Sequence, residues 1–197
     1  MKIFDCFMYF DEEVVLEVRL NTLDKFVDYF VIVESKFTHK GDPRDLRFSQ
    51  KKFEKFKDKI IYLIHDEESK DIEIINYNDD EKEKSRKYIL NAYCRENAQR
   101  NYIQKGLAHA EENDLILISD VDEIPNLLDF NFNKIKEKII LFKQDMFYYK
   151  FNLYLPNLLW TGTKACKKKH LINPQWLRNV KDRKYPFYRI DTIFSKN

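Results

Sequence analysis

Asp120 and Asp122 stand just beyond the apolar run Leu115-Ile-Leu-Ile118 and Ser119, with Glu123-Ile124-Pro125 behind them. On extended chain, positions i and i+2 project to the same side, about 7 Å apart, so both carboxylates can face one site. Two hard oxygen donors suit Mg²⁺ or Mn²⁺, with diphosphate oxygens and water completing the shell. A cation that bridges a diphosphate neutralises charge building on a departing nucleotide. The same residues also suit a capped turn, because Asp after a strand bonds backbone N–H groups. The spacing alone leaves both readings open.

The elements that must position this pair follow from hydrophobic patterning. Lys2 to Phe10, Tyr29 to Val33, Lys59 to Ile64 and Asp114 to Ile118 read as four strands, and such short apolar runs suit a parallel sheet buried on both faces. Asp11 is placed to cap a helix in which Val14, Val15, Val18 and Leu23 recur at helical spacing. Ser49 is placed to cap a helix carrying Phe53 and Phe56, and Ser85 to Ala110 carries the longest helical pattern. Asp66 to Lys84, dense in charge and Asn, reads as an exposed, partly mobile loop. Lys138 to Leu155 reads as two strands rich in Phe and Tyr, and the remainder as mixed structure. Alternating strands and helices predict α/β architecture with a mainly parallel sheet. In such sheets ligands bind beyond the carboxyl ends of the strands, which is where the Asp pair falls.

Composition narrows the function. The chain has 197 residues and a formal charge of +2, which gives no electrostatic reason to expect nucleic acid as a partner. Apolar residues at 44% support a packed core, and the length suits one domain, residues 1–197. Cys6, Cys94 and Cys166 are odd in number and form no Cys-x-x-Cys pair, which argues against a disulfide framework or a zinc site. The start of the chain lacks a signal-peptide pattern, and no run approaches the roughly 18 apolar residues of a membrane span. A soluble, cytoplasmic protein is the expectation.

Several segments together resemble glycosyltransferase family 17. They are Phe4-Asp5-Cys6-Phe7 with Asp11-Glu12, then Tyr29-Phe-Val-Ile-Val-Glu-Ser-Lys-Phe-Thr38 followed by Gly41-Asp42-Pro43-Arg44 and Leu46-Arg47-Phe48. Leu117-Ile-Ser-Asp-Val-Asp-Glu-Ile-Pro125 is similar to the family's metal motif, and the helix with Arg95-Glu96-Asn97 and Gln99-Arg100-Asn101 also fits. The resemblance implies a GT-A-like, Rossmann-like fold with flanking helices and a mixed C-terminal part. It implies a UDP-sugar donor, with N-acetylglucosamine as the sugar moved, a glycan acceptor, inversion at the anomeric carbon, and Mn²⁺ or Mg²⁺. Asp122 is then the direct metal ligand and Asp120 a metal or ribose contact. Glu34, Ser35, Thr38, Arg95 and Arg100 join Asp120 as donor-binding residues, Arg100 being the better placed arginine for phosphate.

A general base near the acceptor hydroxyl is also required, and Glu123 and Asp145 are the candidates. The family's late Gly-Trp-His-Phe-like segment has no counterpart before Asn197, so a domain lacking that segment is expected. Two rival readings stand beside this one: a metal-dependent phosphohydrolase or nucleotidyltransferase, and a non-catalytic module that binds a nucleotide sugar or glycan.

Overall fold

The computed structural model describes residues 1–149 and 152–183. Its elements are β1 (Ile3–Tyr9), α1 (Glu13–Leu23), β2 (Tyr29–Ser35), β3 (Ile60–His65), α2 (Glu81–Gly106), β4 (Leu115–Ser119), β5 (Ile139–Leu141), β6 (Gln144–Phe147), β7 (Tyr154–Trp160), β8 (Lys164–Lys167) and α3 (Pro174–Asn179). Six strands form one sheet in the order β3-β2-β1-β4-β8-β5, while β6 and β7 pair as a separate ribbon. The four expected strands are parallel to one another, and β8 joins β4 in antiparallel sense with β5 outside it. This is the mainly parallel GT-A-like α/β sheet with flanking helices, followed by a mixed C-terminal part.

Side chains alternate between two cores because successive residues of a strand face opposite ways. Phe7 and Tyr9 of β1, with Phe30, Ile32, Leu115 and Leu117, pack under α1 and the segment around Phe53 and Phe56. Phe4, Cys6, Val31, Val33, Ile116 and Ile118 face Ile103 of α2, Leu107 just past its end and Leu177 of α3 on the other side. With both faces covered, unbroken apolar strands are what the fold demands. The chain reverses direction across the sheet between β1 and β4, so their carboxyl ends flank a crevice at the switch point.

The helices depart from expectation in informative ways. Val14 and Val18 of α1 face solvent, and the buried side is Leu16, Arg19, Leu20 and Leu23. Asp11 does not cap α1; Glu12 occupies the cap position, and its carboxylate turns back to accept from the Phe10 and Asp11 N–H groups. Only a single 3₁₀ turn, Glu54–Phe56, forms after Ser49, although Phe53 and Phe56 are both buried. α2 begins four residues before Ser85, where Asp80 accepts from the Glu83 N–H at 2.7 Å. The 66–80 loop is fastened to it: the Asn91 carboxamide exchanges two bonds with the Glu73 backbone, and Lys87 pairs with Asp79 at 2.7 Å.

Candidate functional site

The strand β4 ends at Ser119, and the next residues form a turn: the Glu123 N–H donates to the Asp120 carbonyl at 3.1 Å, and the Ile124 N–H to that of Asp122 at 3.2 Å. Asp120 and Asp122 are therefore not successive outward positions of extended chain, and the spacing argument from strand geometry does not describe them. The turn is shaped from below by Arg19. Its guanidinium pairs with Asp5 on β1, both side chains fully buried, and donates to the carbonyls of Asp120, Val121 and Glu123 at 2.9, 3.1 and 3.2 Å. It also reaches the Ser119 hydroxyl. A buried cation with this many acceptors locks the turn, since a planar guanidinium carries its donors in a fixed fork.

Above the turn the two aspartates meet opposite environments. Asp120 Oδ1 accepts from Arg100 at 2.9 Å and Oδ2 from Arg178 at 2.7 Å. Burial pushes its carboxyl up, but Arg178 and Arg100 outweigh that and hold it below the usual carboxylate range. Arg178 also reaches Glu123 Oε1 at 2.8 Å, and the same oxygen accepts from the Trp160 indole at 2.6 Å. Glu123 Oε2 accepts the Asp120 N–H, and the Glu123 carbonyl accepts from the Thr163 hydroxyl. Gly162 lies so close to Glu123 that a Cβ there would come within 2.5 Å of its carboxyl carbon.

Asp122 is exposed, and burial together with neighbouring Glu123, Asp120 and Glu12 raises its pKa. No arginine or lysine is paired with it among the described residues. Electrostatically, this side of the turn lacks a cation.

That deficit is the test of a divalent ion. Among the described residues no three His, Cys, Asp or Glu side chains gather to hold a metal by themselves. Asp120 spends both oxygens on arginines, leaving Asp122 as the available carboxylate. Such a set does not make an all-protein cage, but it fits Mg²⁺ or Mn²⁺ held by one or two carboxylates with substrate phosphates supplying the rest.

The expected donor-side residues lie on the other flank of the crevice. Glu34 is fully buried, and its carboxylate accepts from the Arg47 and Phe48 N–H groups, the Tyr62 hydroxyl and Arg44. With those four partners it organises the loop after β2, and its oxygens are not offered to a ligand, contrary to the contact expected of it. The Ser35 hydroxyl accepts the Phe37 N–H, and Thr38 shapes the turn to Asp42, whose N–H donates to its hydroxyl. Gly41 closes that turn at φ 102°, with Arg95 packed where a Cβ would be. Arg95 pairs with Glu68 at 3.0 Å and donates to the His39 carbonyl, so it staples α2 to this loop and has no bond to Asp120. Of the two helix arginines it is Arg100 that meets the acidic turn.

The two base candidates also separate. Glu123 is 8% exposed and held on both oxygens, so it serves as a fixed anion in the turn. Asp145 is exposed on β6, and among the described residues it accepts one hydrogen bond, from the Tyr154 hydroxyl at 3.3 Å. The ribbon that carries it is half open to solvent at Phe147, Tyr154, Leu159 and Trp160, and Gln144 pairs with Trp160 in register, which links it to Glu123.

Residues that the sequence did not single out complete the site: Arg19, Arg178, Thr163 and Gln175, whose Oε1 accepts from Arg100 at 2.6 Å. One signal was legible: Asn173-Pro174 marks a helix start, with Asn173 capping Trp176 at 2.7 Å and Pro in the first turn, which predicts α3 and so brings Arg178 into view.

A mainly parallel α/β sheet with flanking helices, carrying an acidic turn at its switch point, is consistent with the GT-A-like class. The chain belongs to glycosyltransferase family 17, whose family model matches residues 1–173. It is thus a glycosyltransferase, taking an activated sugar donor and an acceptor, and no described helix is long and apolar enough to cross a membrane. No curated protein matches the chain.

Proposed function

We propose that this chain transfers N-acetylglucosamine from a UDP-sugar to a glycan acceptor with inversion, assisted by Mn²⁺ or Mg²⁺ held at Asp122. The observation that carries this reading is the unequal turn at the β1–β4 switch point, where Asp120 is neutralised by two arginines while Asp122 lacks a cationic partner. When bound, a divalent ion there would offset charge on the departing diphosphate as a Lewis acid. The residues of the chain do the rest. Arg19 fixes the turn, Arg100 and Arg178 fix Asp120 and keep it ionised, and the Glu34-centred loop shapes the opposite wall. Inversion in one displacement needs a general base on the acceptor side, and we assign that role to Asp145, the base candidate whose carboxylate is exposed. Three free cysteines agree with a reducing, cytoplasmic setting.

The test is calorimetric titration of Mn²⁺ and UDP into Asp122→Ala. Loss of Mn²⁺-dependent UDP affinity with an unchanged melting temperature is expected. Wild-type affinity in that variant would remove the assignment.

A further inference from the structure

A cavity of about 440 Å³ opens between α2 and α3, within the roughly 300–1,000 Å³ range of small-molecule sites. Its walls are carboxamides and aromatic rings, with Arg183 the single charged residue among the described lining. Tyr93, Asn97 and Asn101 recur every four residues along α2, and Asn173, Gln175, Trp176 and Asn179 answer from α3. The oxygens of three of the asparagines are already spent. Asn101 Oδ1 accepts the Gln175 N–H at 3.0 Å, Asn173 Oδ1 the Trp176 N–H, and Asn179 Oδ1 the Gln175 side-chain amide at 3.0 Å. Each therefore keeps its NH₂ group as a donor. Asn97 presents the converse: its Oδ1 is buried and accepts nothing from the described residues. Amide donors beside an unfilled acceptor, with a tyrosine and a tryptophan at the wall, match a ligand rich in hydroxyl groups that both give and receive hydrogen bonds.

We infer that this cavity binds a neutral saccharide unit, a residue of the acceptor glycan other than the one that reacts, an assignment that rests on the glycosyltransferase reading above. The cavity is wired to the acidic turn. Gln175 lines it and holds Arg100, which holds Asp120. An occupant that bonds Gln175 or its neighbours thus steadies the arginine that keeps Asp120 charged.

The experiment is saturation-transfer NMR of the full chain with N-acetylglucosamine, mannose, galactose and a branched mannose-containing oligosaccharide, each titrated against wild type, Asn97→Ala and Tyr93→Ala. Neither side chain carries a hydrogen bond among the described residues, so melting temperatures should hold. Saccharide binding should weaken about three- to tenfold in Asn97→Ala, the value of one hydrogen bond, and measurably in Tyr93→Ala. Asp122→Ala should leave saccharide binding intact while losing UDP, which separates failure of this inference from failure of the donor assignment. The inference is overturned if no saccharide binds, if Asn97→Ala binds as wild type does, or if inorganic phosphate displaces the sugar. It is overturned too if Asn97→Ala weakens a UDP-sugar but not free saccharides.

Discussion

The two sides of the turn after β4 are built from the same residue type, two positions apart, and end in opposite electrostatic states. Asp120 faces Arg100 and Arg178, with Lys164 buried behind them, and its carboxyl is held low. Asp122 faces Glu123, Glu12 and Asp120, and its carboxyl is held high. The difference teaches that a carboxylate's role is set by the chain brought against it, not by its place in a motif. One aspartate is a structural anion; the other is left uncompensated, as a group awaiting a cation would be.

The strongest way to break the contrast is to remove what supports both sides. Arg19→Ala leaves Asp5 charged and alone in the core, and a loss of about 3–5 kcal/mol in denaturant unfolding is expected. Arg178→Ala strikes one side only. Asp120 and Glu123 each lose a charged bond, and a loss of about 1–2 kcal/mol is expected, moderated because Asp120 is over a third exposed. Arg100→Ala should weaken UDP binding by about tenfold and Arg95→Ala by less, read by calorimetry, since of these two arginines only Arg100 touches the turn. Equal or reversed losses would return the phosphate role to Arg95.

Lys164 sharpens the comparison through pH. Burial, then repulsion from Arg178 and Lys181, pushes its ammonium down to about 8 from an ordinary 10.5. Between these values the native chain has shed the proton and the unfolded chain has not, so stability rises as pH climbs from about 8 to 10.5. Lys164→Met should abolish that rise in thermal melts across the window. The smallest effect belongs to Asp122→Asn, which should shift stability by no more than about 0.5 kcal/mol and upward at neutral pH, since it removes a partly desolvated and repelled charge while the amide oxygen can keep the bond to its own backbone N–H.

The sheet was legible because its strands are buried on both faces: Leu115 to Ser119 could hardly be read otherwise. Helix α1 was legible as a helix but not as a face, because its buried side includes Arg19, which a hydrophobic pattern counts as surface. The position of the Asp pair was plain, whereas its environment was not. Arg100 and Arg178 come from 20 and 58 residues away, and no local rule brings them to Asp120. The family resemblance fared similarly: Glu34 ends the second strand as read, while its carboxylate turns inward to Arg44, Tyr62 and two backbone amides.

Arg178 follows every described strand in chain order and sits on α3, only six residues long. Without it Asp120 would keep only Arg100, and the Glu123 carboxylate would have no ion pair among the described residues. The acidic turn is thus balanced from outside the scaffold that carries it, so whatever loosens α3 unbalances the crevice while leaving the sheet intact.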